Sequence, residues 1–386
     1  MLYFDHNATS PLHPAARQAW LDASERFIGN PSSPHRIGAR ADAALSEARE
    51  RLARILGCDA LDLVFTSGAT ESANTVFHHA ARTIPPDAEV WLSAIEHPCV
   101  TAAARHHFAK RLRWIPVTRE GVLDRNWLEK QLKRSHPRLI AVMAANNETG
   151  VVQPWHDVLR LCRERDVPFL CDAVQWIGKL RAQGLGECDF TMGSAHKFGG
   201  PRGVGFLKCP KHGRFEPLLR GGSQEEARRA GTENVPGVLA MLAALEVREE
   251  SMKDDLQSRS HAIVRKCGLQ RAMIESILNQ LPGTEIVGAK HFRLWNTICL
   301  LMPEVDCRVR WVVKLDKLGV AVSTGSACAS GKEEPSPVLT AMGYTPAQAA
   351  RALRFSAGWE TTREDWEQLL DLLLQAQLEI KPRRKK

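Results

Sequence analysis

Between Leu61 and Lys208, short apolar runs alternate with stretches of helical character, and no other feature of the chain restricts its fold as much. The runs are LDLVFTSG, EVWLSA, RLIAVMAA, VPFLCDAV and GVGFLK, with helices expected from about Thr70 and after Pro154. Such alternation predicts an α/β fold, a mostly parallel sheet with helices on both faces. Ligands of these sheets gather at the carboxyl ends of the strands. Asp172 and the groups around Thr70, His97 and Asn147 all follow predicted strands, so they are expected along one edge.

The flanking sequence is built differently. The opening YFDHNATSPLHP is turn-rich and reads as an extended arm, and ADAALSEARERLARILG then repeats apolar residues at helical spacing until Gly57 stops it. A helix from about Asn234 to Leu256 runs into the charged EVREESMKDD, which reads as a hinge. Beyond it come a helix near Arg271 to Leu281, strands in NTICLLM, GVAVS and RALRFS, a helix through VRWVVKLDKLG and a final helix. Thr361 and Glu364 are placed to form a capping box for that last helix, whose LLDLLL stripe reads as core. The expected division is a large domain of residues 13–252 and a smaller α+β domain of residues 1–12 and 253–386.

Composition narrows the class. The chain has 386 residues, 44% of them hydrophobic and 25% charged, as in soluble globular proteins. No apolar run is long enough to span a bilayer and MLYFDHNATS lacks a signal-peptide layout, so a cytoplasmic protein is expected. Ten cysteines without Cys-x-x-Cys pairs argue against a zinc ribbon or a disulfide scaffold, and no metal site is expected. The net charge of +8 sits partly in the terminal KPRRKK. With no zinc-finger spacing or aromatic RNA-binding motif, direct nucleic-acid binding is not expected.

Three stretches carry chemistry. In DFTMGSAHKFGGPRGVGF a strand ends in Ser194, His196 and Lys197 and breaks into glycines, which presents a lysine amine at a turn. On its own that is an ordinary solvated lysine. In SGATES, small residues and Thr70 at a helix start allow backbone amides to approach an anion, although a plain helix cap looks the same. Asp172 closes VPFLCDAV. Lysine, carboxylate and anion-binding helix end together match the needs of pyridoxal 5'-phosphate: a Schiff-base amine, a partner for the ring nitrogen and a phosphate cradle. His97 could stack on such a ring and Asn147 could donate to its oxygen. Residues 323–336 form a small-residue loop in which Cys328 is a candidate nucleophile.

These pieces resemble the cysteine desulfurases of the class V aminotransferase group, with the PLP-dependent transferase fold type I. The matching segments run in order from YFDHNAT through NPSSPHRIG, FTSGATES, EHP, NNETGVVQP, DAVQ, SAHKFGGPRGVG, RRAGTENVPG and STGSACASG to RFS, nearly the whole chain. The resemblance implies that Lys197 holds pyridoxal phosphate, that Ala69, Thr70, Ser194 and His196 bind its phosphate, and that His97 stacks on the ring. It further implies that Asp172 meets the ring nitrogen, that Asn147 and Gln175 face the ring oxygen, and that Thr232 reaches the phosphate of a second subunit in a homodimer. Arg354 would pair with the carboxylate of L-cysteine. Lys197 would remove the α-proton, His97 would shuttle protons, and Cys328 would accept the sulfur as a persulfide while alanine leaves. The sulfur would pass to an acceptor protein such as an iron–sulfur scaffold or a tRNA-thiolation protein. The basic tail is shorter than the scaffold-docking extension of some members, and Cys99 is a second thiol beside His97. A selenocysteine lyase or a class V aminotransferase on the same scaffold is the nearest alternative, and a basic scaffold protein without chemistry is a more distant one.

Overall fold

A computed structural model describes residues 1–210, 215–253, 262–304, 308–324 and 335–379. In chain order the strands are β1 (Leu2–Tyr3), β2 (Leu63–Thr66), β3 (Val90–Ser93), β4 (Leu112–Ile115), β5 (Leu139–Met143), β6 (Phe169–Asp172), β7 (Phe190–Ser194), β8 (Gly205–Lys208), β9 (Glu285–Ile286), β10 (Thr297–Leu301), β11 (Val320–Ala321) and β12 (Ala352–Ser356). The helices are α1 (Pro14–Arg26), α2 (Arg36–Leu56), α3 (Ala69–Thr83), α4 (Pro98–Phe108), α5 (Arg125–Leu132), α6 (Trp155–Arg163), α7 (Val235–Ser251), α8 (Ala262–Gln280), α9 (Arg308–Lys317), α10 (Pro337–Ala341), α11 (Pro346–Ala349) and α12 (Arg363–Glu379).

Among the described residues, seven strands form one sheet in the order β2-β8-β7-β6-β5-β3-β4. All run parallel except β8, which is antiparallel to both its neighbours. Only ten residues separate Ser194 from its partner Gly205, too few for a crossover, so the chain must return antiparallel. Successive residues of each strand feed opposite faces. Phe65, Trp91, Ile140, Val142, Phe169, Cys171 and Phe206 pack with α2 and α7, while Val64, Leu92, Ala141, Leu170, Met192 and Leu207 pack with α3 and α4. The edge strand β4 escaped the sequence reading because its LRWI carries an arginine and is only half buried.

A separate antiparallel sheet, β12-β10-β9, lies against α8, α9 and α12 around Ile298, Leu300, Leu353, Phe355, Trp311 and Trp366. The N-terminal segment joins it: β1 pairs in parallel with β11, Asp5 bridges Ser356, and Phe4 is buried in the same cluster. Leu369 and Leu373 of the final helix are core there, as its apolar stripe implies. The capping box of that helix lies one residue later than expected. The Thr362 hydroxyl accepts from the Asp365 N–H at 3.2 Å and the Asp365 carboxylate accepts from the Thr362 N–H at 2.8 Å. Thr361 and Glu364 have the same spacing, but the Thr361 hydroxyl accepts from the Gly358 N–H at 2.8 Å instead.

Every parallel strand points its carboxyl end to the same edge of the sheet, and the antiparallel β8 brings its amino end there. Gly205, which opens β8, passes directly beneath Gly68: a Cβ on Gly205 would stand 2.5 Å from the Gly193 carbonyl oxygen and 2.6 Å from the Gly68 Cα. These neighbours are backbone and cannot swing away. Gly205→Ala should therefore lower stability by about 1–3 kcal/mol, read as a fall in thermal midpoint, with a matching displacement of the start of α3.

Candidate active site

At that carboxyl edge lies a cavity of about 530 Å³, and the strand ends supply most of its wall. Ala69 and Thr70 come from the start of α3 after β2, His97 from the start of α4 after β3, and Asn147 from the turn after β5. Asp172 and Gln175 come from the end of β6, Ser194, His196 and Lys197 from the end of β7, and Arg354 from β12. The topology thus brings ten of the residues singled out in the sequence into one space. Thr232 is exposed and lies outside this cavity, and Cys328 lies outside the described residues.

Each group has a defined setting. The Lys197 amine donates to the backbone carbonyls of Asn7 (2.7 Å) and Ala8 (2.8 Å), so the N-terminal arm forms the rest of the floor. Burial raises the Asp172 carboxyl to about 6, although the Val174 N–H at 3.0 Å and the Lys197 amine both favour its charged form. His97 caps α4 by accepting from the Cys99 N–H at Nδ1 (3.2 Å), which leaves Nε2 to carry the proton. Burial, then Lys197, depresses the His97 imidazole to about 4. His196 is lowered to about 4 by burial, then by Lys197 and Arg202, and its Nδ1 lies 3.2 Å from the Thr9 hydroxyl. Both rings are neutral near pH 7. Arg354, only 1% exposed, donates to the Asn147 carbonyl (2.9 Å) and to Asp5 (2.7 Å). The Cys99 thiol sits 3.1 Å from His97 Nδ1, and burial raises its pKa far above the ordinary range.

The residues suit pyridoxal phosphate. The side-chain oxygen of Asn147 is buried and has no partner among the described residues, so a polar group is wanted there. Gly68, with φ +148°, caps α3 without a side-chain acceptor, so no side chain competes for the N–H groups of the first turn. Ser194 Oγ would lie 3.4 Å from a Cβ at Gly68, which keeps the hydroxyl beside the same helix end. An anion at this corner would meet N–H groups, a serine, a threonine and a histidine.

Four participants were not legible as such. Asn7 and Lys179 hold the cavity floor. Glu96, beside His97, is buried with one oxygen accepting from the Met143 N–H at 2.7 Å and the other unpartnered among the described residues; burial, then Asp172, raises its pKa well above the carboxylate range. Arg229 grips Glu71 (3.0 Å), which itself accepts from the Ser67 N–H, so RRAGTEN is tied to the helix start. The partial signal for Asn7, Glu96 and Arg229 was position, since each lies within a singled-out motif, whereas Lys179 carried none.

Comparison with known proteins follows the same outline. Residues 2–369 match the family Aminotransferase class-V, and the chain belongs to that family. Its relatives include Cysteine desulfurase IscS of Dictyoglomus turgidum (strain DSM 6724 / Z-1310), 36% identical and covering 96% of this chain and 93% of the relative. A cysteine desulfurase of Cereibacter sphaeroides is 37% identical, covering 96% and 94%. Among solved structures a NifS-like protein superposes with a TM-score of 0.87 at 30% identity, over 98% of this chain and 99% of the other.

The Asp172 setting has a measurable consequence in the apoprotein. Its folded pKa of about 6 exceeds the unfolded value near 3.8, so the stabilisation linked to its proton is present below about pH 4 and lost as pH rises through 6. Asp172→Asn should be more stable than the wild type above pH 6, by on the order of 2 kcal/mol, and equal to it below pH 4. Urea midpoints across that range measure it.

Proposed function

We propose that this protein is a pyridoxal-phosphate-dependent cysteine desulfurase, acting as a homodimer: it converts L-cysteine to L-alanine and carries the sulfur as a persulfide on Cys328 to an acceptor protein. The observation that carries the reading is the meeting of Lys197, Asp172, His97, Asn147 and Arg354 in one cavity of a chain whose relatives bear that name. Lys197 would hold the cofactor, Asp172 would meet its ring nitrogen, and Ala69, Thr70, Ser194 and His196 would hold its phosphate. When bound, the cofactor supplies an electron sink for bonds to the amino acid's α-carbon.

The chain's own groups do the rest. The planar guanidinium of Arg354 suits a substrate carboxylate and fixes which way the amino acid enters. Lys197 would take the α-proton and return a proton later. His97 is neutral with its proton on Nε2, so at that atom it would donate toward the substrate sulfur and shuttle protons, while its flat face suits stacking. Cys328 then accepts the substrate sulfur. In sum, L-cysteine and the enzyme thiol become L-alanine and an enzyme persulfide, with no external oxidant or reductant.

Thr232 stands exposed and away from its own cavity, where a residue serving a second copy would stand. The acceptor class proposed is an iron–sulfur scaffold or a tRNA-thiolation protein. The division into residues 13–252 and residues 1–12 with 253–386 is proposed with it, the second part carrying Cys328. No described helix is long and apolar enough to cross a membrane.

Purified enzyme given L-cysteine should release alanine and accumulate protein-bound persulfide. Lys197→Ala should lose the absorbance of lysine-bound cofactor and at least about 10³-fold in alanine release. Cys328→Ala should keep the absorbance and form no persulfide. Persulfide on the Cys328→Ala protein would sink the assignment of that residue, and faster turnover of selenocysteine or of ordinary amino donors would sink the substrate.

A further inference from the structure

The turn after β6 carries a buried lysine that the mechanism does not use. Lys179 is 4% exposed, and its head group donates to the side-chain oxygens of Asn7, at 3.1 Å, and of Gln175. Both of these acceptors are amide oxygens rather than carboxylates. Burial, then the nearby Lys197 and Arg354, pushes its pKa well below the usual lysine range. Its backbone is pinned as firmly as its head. Gly178, at φ +76°, lies so close to Phe198 that a Cβ would stand 2.3 Å from the Phe198 Cβ. Trp359 Nε1 donates to the Gly178 carbonyl at 2.7 Å and Trp295 Nε1 to the Lys179 carbonyl at 2.9 Å.

This arrangement gives the Gln175 amide a single orientation. Its Oε1 accepts from Lys179, so its NH₂ must serve as the donor, and that group donates to the Asn7 carbonyl at 3.0 Å. The same carbonyl accepts from the Lys197 amine. We propose that Lys179 is a positioning residue of the cofactor site: it holds Gln175 with its N–H groups toward the cavity and holds Asn7 so that the paired carbonyls of Asn7 and Ala8 aim the Lys197 amine. An amide fixed as donor suits an anionic oxygen on the cofactor ring. The inference rests on Lys197 being the cofactor-binding lysine.

The test titrates apoprotein with pyridoxal phosphate, follows the absorbance of the lysine-bound form, and traps the linkage to Lys197 with borohydride for mass spectrometry. Lys179→Met should weaken binding about tenfold and shift the absorbance band. Lys179→Gln, whose amide still donates, should recover most of the affinity. Added to Gln175→Ala, Lys179→Met should cost less than about twofold more, because the two act through one contact. Wild-type affinity and spectrum in Lys179→Met, or losses that multiply in the double variant, would overturn the inference alone. Should Lys179→Met fail to fold by circular dichroism, Gln175→Glu decides. Its carboxylate still accepts from Lys179 but offers the cavity no donor, so affinity should fall at least as far as in Gln175→Ala, and undiminished affinity overturns the proposal. A wild-type apoprotein that takes up no cofactor at Lys197 overturns the cofactor reading and this inference with it.

Discussion

Asn7 is the point on which the cavity depends. Its N–H donates to the Ser356 hydroxyl, its carbonyl accepts from Lys197 and Gln175, its side-chain oxygen accepts from Lys179 and Asn296, and its amide donates to the Asn147 carbonyl and the Thr297 hydroxyl. One buried residue thus joins the central sheet, the second sheet and the reactive lysine. Buried amide groups are costly when unpaired, so a network this fully satisfied has little freedom to rearrange. The geometry of the lysine amine is inherited from it.

Around that point the sheet does what its topology requires. β3 leads outward to β4 and the chain then returns to β5 on the other side, so the strand order reverses at β3 and β5, and His97 and Asn147 flank the crevice. Asp172, raised by burial, and His97, lowered by it, show one physical cause acting oppositely on an acid and a base. Near pH 7 the imidazole is thereby uncharged, while the carboxyl stays mostly ionised but titrates far above an exposed one.

The strand pattern and the residues at strand ends were legible because both are local: apolar runs mark buried strands, and a polar residue straight after one has only the sheet edge to occupy. Lys197, Asp172, His97 and Asn147 belong to this class. Asn7 and Lys179 do not. Asn7 reads as a turn breaker and Lys179 as one lysine among many, since their meaning comes from partners up to 349 residues away. The misplaced capping box has another origin. Thr361 with Glu364 and Thr362 with Asp365 satisfy the same spacing, and what separates them is a detail of the fold, the Thr361 hydroxyl being taken by the Gly358 N–H.

The placement of residues 2–8 bears on how the protein is made. This arm is held by β11 and β12, segments that leave the ribosome more than 300 residues after it. The parallel sheet can assemble without them, yet the Lys197 amine gains its two carbonyl partners only when the arm is clasped. Readiness for chemistry is therefore a late folding event, governed by the closure of a very long loop rather than by formation of the sheet that carries the lysine. A nascent chain lacking its final strands would display the lysine without the setting that directs it.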